Sequence, residues 1–153
     1  MMKRFFTLVL AALLLLAALP MAATAAAEDK LVSTSTEYFD DGSYAVTNVY
    51  ESAIQPRTGK TGYAEAIYYA ANGAQIFKVT VTGSFDYTYG VSAKATSATA
   101  SVSLYDPSVS FVSKNAYTSG ASAVANGVIK HSGVTVSKTV TLTCDKYGNL
   151  SGT

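Results

Sequence analysis

The side chains able to do chemistry are few and scattered. Cys144 is the chain's one cysteine and His131 its one histidine. A nucleophilic thiol needs a base beside it, and no spacing ties His131 to Cys144. Cys144 therefore reads as a small hydrophobe at the end of a core-facing strand, with an intermolecular disulfide as the alternative. His131 adjoins Ser132-Gly133 and reads as an exposed turn residue, because one histidine among scattered carboxylates falls short of the three or four ligands a zinc site usually takes. Serine is abundant, but none sits in a nucleophile-elbow pattern. Asp40-Asp41-Gly42-Ser43 is similar to the start of a calcium loop, yet it lacks the further oxygen ligands and the terminal glutamate, so a hairpin turn is expected. Glu37, Glu51, Glu65 and Asp86 could be paired as the carboxylates of a glycoside hydrolase. A chain with ten carboxylates allows such pairings by composition alone. No catalytic, cofactor-binding or metal-binding residues are assigned on this basis.

Two further features carry possible chemistry. Lys138 interrupts an apolar face, and a buried lysine is costly unless paired. It either reaches water at a bulge or strand end or forms an isopeptide bond to Asn48 or Asn126. Tyrosine is abundant while tryptophan is absent. Tyr63, Tyr68, Tyr69, Tyr87, Tyr89 and Tyr105 could make a sugar-stacking or protein-binding platform, or simply pack their rings while the hydroxyls stay wet. Alternation puts Tyr68 and Tyr69 on opposite faces, so at most one of them joins a given patch.

The elements that must position these residues are strands. Val, Thr, Tyr, Ser and Phe dominate after Ala27, and period-two alternation recurs without helical periodicity. From Gln75 to Tyr89, the residues Phe77, Val79, Val81, Gly83, Phe85, Tyr87 and Tyr89 share one face. Lys78, Thr80, Thr82, Ser84, Asp86 and Thr88 share the other. Gly83 predicts a bulge or bend there. Val134–Cys144 alternates in the same way. Turn signals separate Leu31–Phe39, Tyr44–Glu51, Tyr63–Ala71, Val91–Tyr105, Val109–Thr118 and Ala121–His131, with Asp-Gly and Asn-Gly steps marking hairpins. Ser52–Gly62 is the longest loop and is expected to be exposed and mobile. The pattern predicts an all-β fold: a single β-sandwich of immunoglobulin-like type with about eight strands, or alternatively a small barrel. Thr, Ser and several Lys on the polar faces discourage edge-to-edge association.

The N-terminus speaks to compartment. Met1–Arg4 is basic, Phe5–Leu19 is an apolar run of about 15 residues, and small residues lead to Ala27. This is the layout of a signal peptide, shorter than the roughly 20 residues of a spanning helix. Cleavage is expected after Ala27 or Ala25, giving a signal peptide over 1–27 and a β-sandwich domain over 28–153. The C-terminal Asn149–Thr153 shows no apolar tail or sorting signal, so a released, secreted protein is expected, with no membrane attachment after cleavage. Without residues 1–27 the charges nearly cancel, nine Lys and Arg against ten Asp and Glu. No basic stripe exists, which argues against nucleic acid as a partner.

The ordered series Phe39-Asp40-Asp41-Gly42-Ser43-Tyr44, Arg57-Thr58-Gly59-Lys60-Thr61-Gly62, Tyr68-Tyr69 with Asn72-Gly73, Val79-Thr80-Val81-Thr82-Gly83-Ser84-Phe85 and Thr139-Val140-Thr141-Leu142-Thr143-Cys144 resembles a group of small secreted all-β proteins of unknown function from clostridia-like Gram-positive bacteria. The resemblance spans nearly all of residues 28–153. It implies export and one β domain, with no activity to carry over. It also implies a tryptophan where this chain has Phe77, and a cysteine near Ala95 as disulfide partner for position 144.

Taken together, these readings lead to a secreted, non-enzymatic binding module without cofactor, its partner a cell-surface protein or a glycan. A structural or self-associating extracellular protein is the alternative, and an enzyme with an unrecognised site stands behind both.

Overall fold

A computed structural model describes residues 27–153 of the protein. Apart from Ala27, the expected signal peptide lies outside the described residues. Among the described residues, nine strands follow one another without a helix: β1 (Lys30–Tyr38), β2 (Tyr44–Glu51), β3 (Lys60–Tyr69), β4 (Gln75–Thr88), β5 (Ser92–Leu104), β6 (Val109–Ser119), β7 (Ser122–His131), β8 (Val134–Cys144) and β9 (Leu150–Gly152). They form two antiparallel sheets, ordered β1-β2-β3-β4-β5 and β6-β7-β8-β9. Both are meanders. Immunoglobulin-type sandwiches interleave their strands through Greek-key connections, whereas here every hydrogen-bonded neighbour is also the next strand in the chain.

Alternation explains the sheet faces. On β4, Phe77, Val79, Val81 and Phe85 are buried, and they join Val49, Ala64, Ala66, Ala123, Ala125, Ile129, Val140 and Leu142 in one core between the sheets. Gly83 does not form the expected bulge. It pairs in register with Gly62 and Ala98, and the register shift falls one residue later, between Ser84 and Phe85. What Gly83 provides is closeness, since a Cβ there would lie 2.7 Å from the Ala123 Cβ of the other sheet. Gly127 plays the same part from the opposite side, its missing Cβ only 2.6 Å from Val79 Cγ2. Small residues at the centre therefore let the two sheets approach. Gly127→Val is expected to cost about 2–3 kcal/mol through overpacking, read as a lower urea midpoint. An unchanged midpoint would show that the sheets are not closed at that point.

Three hairpins share one turn geometry. In Phe39–Ser43, Ala70–Ala74 and Asp145–Asn149, the first residue's N–H donates to the last residue's carbonyl at 2.9 Å. The fourth residue is glycine with φ of +82°, +84° and +82°, a left-handed conformation that side chains resist. Asp41 and Asn72 side chains accept from the backbone two residues on. The third of these turns leads into β9, a ninth strand that the sequence reading did not separate. The loop between β2 and β3 is tied together by Gln55, whose amide donates to the carbonyls of Ser52 and Thr61 and accepts from the Thr61 N–H. Ile54, Pro56, Arg57 and Thr58 of this loop are exposed, as expected, but it ends at Gly59, because Lys60–Gly62 already belong to β3.

Candidate functional site

Hairpins of a meander alternate between the two ends of a sheet, so the β1–β2, β3–β4 and β7–β8 turns gather at one end of the sandwich. There the gap between the sheets opens into a pocket of about 480 Å³. Phe39, Tyr68, Ile76, Phe77, Ile129 and Val136 wall it, and Asp41, Ser43 and His131 bring the polar groups. Its aromatic wall is a continuous stack: Phe39 lies on Tyr68 at 5.6 Å and 4°, and Tyr68 lies on Phe77 at 4.6 Å and 10°. Phe77 is buried in the core, so the stack ties the β1–β2 turn to the centre of the fold.

Lys138 supports this stack from β8. Its inward position was legible from alternation; its partner was not. The ammonium sits 5.4 Å from the centre of the Tyr68 ring and 3.2 Å from Glu37 Oε2 on β1, 101 residues away. This arrangement replaces the isopeptide idea. Asn126 turns its amide to Ser137 and Thr139, and Asn48 accepts from Thr34, so neither is engaged with Lys138. Burial pushes the Tyr68 hydroxyl above its ordinary value, Lys138 opposing and Glu37 adding to the effect.

The other candidates are dispersed. Glu51 is held by Lys60 at 2.6 Å and Glu65 by Lys78 at 2.9 Å. Glu37 is on Lys138, and Asp86 is exposed beside Gly59. The structure thus gives three of these four carboxylates a lysine each. Among the described residues, no group of three or more His, Cys, Asp or Glu is placed to hold a metal. Cys144 is fully buried, its thiol donating to the Asp145 carbonyl at 3.5 Å. Burial, with Asp145 adding, pushes that thiol above its ordinary value.

The tyrosines divide rather than form one platform. Tyr69 stacks on Tyr44 at 4.8 Å and Tyr63 on Tyr50 at 4.7 Å, both on the outer face of the larger sheet. Tyr68 points inward to the pocket, Tyr87 packs over Gly148, and Tyr89 meets Tyr147 edge-on at 5.3 Å. Tyr105 stands beside Lys78. Cross-strand stacking takes one face of Tyr63 and of Tyr69, and the six rings do not share a surface, which weakens the case for a glycan platform.

Asp41 and Asp106 are held below the ordinary carboxylate value chiefly by the hydroxyls of Ser43 and Ser108, and Asp145 chiefly by the Asn149 side chain. Depressed carboxylates contribute stability above their unfolded value of 3.8, lost as pH falls through the folded value. Lys78 is raised above 10.5, first by its bond to Glu65. Burial raises Tyr68 and Tyr63 above 10.0, with Asp29 adding at Tyr63. Raised groups contribute stability below their unfolded values, lost as pH rises through the folded ones. With the raised Cys144 thiol included, the urea midpoint is expected to be flat across neutral pH, to fall below about 4 and to fall again above about 9. A midpoint still rising as pH drops below 4 would contradict these turns.

Compared with protein-family models, with curated proteins and with solved structures, the chain matches none.

Reasoning from sequence did not single out Ile76 and Ile129, and it gave Phe39, Ser43 and Val136 no part in a shared pocket. The signal that could have found them is the placement of turns: in an antiparallel meander, Asp41-Gly42, Asn72-Gly73 and Ser132-Gly133 must sit at the same end.

Proposed function

We propose that the protein is an exported, non-enzymatic binding module that takes a small apolar ring compound into the pocket between its sheets. The observation carrying this reading is the pocket itself. Carbon-rich walls and a few polar groups, in a volume of about 480 Å³, match the usual pattern of a small-molecule site. Asp41, kept ionised by Ser43, favours a ligand with a donor or cationic group at one end. The signal-peptide layout of residues 1–27 supports export. The ligand class replaces the broader reading of a surface protein or glycan, because the outer tyrosines are stacked on one another.

Indole is a direct probe, since the chain has no tryptophan to mask its fluorescence. A saturable emission change is expected with a Kd of about 0.1–1 mM, in keeping with so small a ligand. Val136→Phe, which fills the pocket from β8, is expected to weaken it at least tenfold. Absence of saturation, or binding indifferent to Val136→Phe, would overturn the reading.

A self-associating role is the second reading. The observation favouring it is the edge strand β1, all nine of whose residues are exposed.

A further inference from the structure

The two rims of the pocket differ in charge. On the larger sheet, the β1–β2 and β3–β4 turns touch, since a Cβ added at Gly42 would lie 3.3 Å from the Ala71 Cβ. That rim carries the Asp41 carboxylate beside Ser43. On the smaller sheet, His131 is the polar group.

The Asp41 carboxylate is only half used. Its Oδ1 accepts from the Ser43 N–H at 2.9 Å and from the Ser43 hydroxyl. Among the described residues, its Oδ2 has no hydrogen-bond partner. Glu37, Glu51 and Glu65 each hold a lysine, and Asp41 holds none. The surrounding field has the same sign. Asp40 adjoins Asp41 in the turn, and the Asp106 N–H donates to the carbonyl of Ile76, a wall residue. Lys138 is engaged with Glu37 at 3.2 Å. A carboxylate on the ligand would therefore meet repulsion at this rim, and an ammonium would meet attraction.

One turn carries both the apolar wall and the charge. Phe39 is the outer end of the aromatic stack, and Asp41 follows two residues later. The Phe39 N–H donates to the Ser43 carbonyl at 2.9 Å, and the Gly42 N–H donates to the Phe39 carbonyl at 3.0 Å. These bonds hold ring and carboxylate in a fixed relation. Their Cα atoms are at most about 7 Å apart, a span that suits an ammonium carried about two carbons from a ligand's ring.

We infer that the ligand is an aromatic amine, its ring placed among Phe39, Ile76, Ile129 and Val136 and its ammonium donating to Asp41 Oδ2. The assignment rests on the binding reading above and narrows it to one ligand class. The bond is charge-assisted, which strengthens it, while exposure at the rim weakens it. His131, on the facing rim, is left for a polar substituent of the ring.

Indole, tryptamine and indole-3-acetate share a ring and differ in the charge they carry at neutral pH. Titrated against the purified protein by its own emission, tryptamine is expected to bind roughly threefold to tenfold more tightly than indole, with the advantage falling as salt is added. Indole-3-acetate is expected to bind more weakly than indole. Asp41→Asn keeps an oxygen for Ser43 and loses the charge. It is expected to remove the tryptamine advantage and to leave indole binding unchanged. Saturable indole binding with tryptamine no tighter overturns the amine assignment and leaves the pocket reading standing. A preference for indole-3-acetate, or a tryptamine advantage that survives Asp41→Asn, overturns it in the same way. If neither indole nor tryptamine saturates, the assignment and the pocket reading fall together.

Discussion

Phe77→Ala is expected to destabilise the protein by about 3–5 kcal/mol, the range for truncating a buried phenylalanine. Phe77 is 2% exposed and pairs with Tyr68 on β3 and Leu104 on β5. Its ring is also the inner end of the stack that runs through Tyr68 to Phe39. Alanine would remove the packed ring and leave Tyr68 with one stacking partner instead of two. Because a domain's whole stability is typically about 5–15 kcal/mol, the variant is expected near the edge of folding, read as a large drop in urea midpoint. Phe77→Trp, the residue that the resemblance implies at this position, can extend into the existing pocket. It is expected to cost far less and to compete with indole. A midpoint for Phe77→Ala close to that of the parent would mean that the stack carries little of the fold.

Ala95→Cys is expected to bridge to Cys144 and to stabilise the protein. The resemblance implies this pair, and the structure puts both positions against one tight turn. The Ala95 N–H donates to the Gly120 carbonyl at 2.8 Å, and the Cys144 N–H donates to the adjacent Ala121 carbonyl at 3.1 Å. Both side chains belong to the same core. A bridge closing a loop of about 50 residues is worth about 4 kcal/mol by chain entropy, a rise in Tm of roughly 10–15 °C for a domain of this size. Intact mass under denaturing, non-reducing conditions reads the bond directly, and calorimetry with and without reductant reads its effect. Two thiols that stay reduced in air would place these positions out of bonding reach. In the parent chain, burial keeps Cys144 from forming an intermolecular disulfide without local opening.

Much of the fold was legible because one face of β2, β3 and β4 is buried and the other is not. Period-two alternation in Gln75–Thr88 followed directly from that asymmetry. β9 was not legible, since three residues cannot display a period. Nor was the exposure of β1, whose Ser33–Thr36 are polar on both faces and which meets the facing sheet through Glu37 and Lys138. Lys138 could be read as a misfit, but not its partner Glu37, because alternation reports a face and never a distant neighbour. The pocket was hidden for the same reason. Its walls come from two turns and from β3, β4, β7 and β8, each unremarkable alone. The Tyr68 and Tyr69 split, by contrast, needed only local parity, and the structure places one ring in the core and the other outside.

The most direct measurement uses the four isoleucines of the chain. Ile76 and Ile129 line the pocket, while Ile54 lies in the β2–β3 loop and Ile67 on β3 with its in-register partner Lys78 across the outer face. In a methyl NMR titration with indole, the resonances of Ile76 and Ile129 are expected to shift together and saturate while those of Ile54 and Ile67 stay in place. Still Ile76 and Ile129 signals, or shifts confined to Ile54 and Ile67, would contradict a binding site between the sheets.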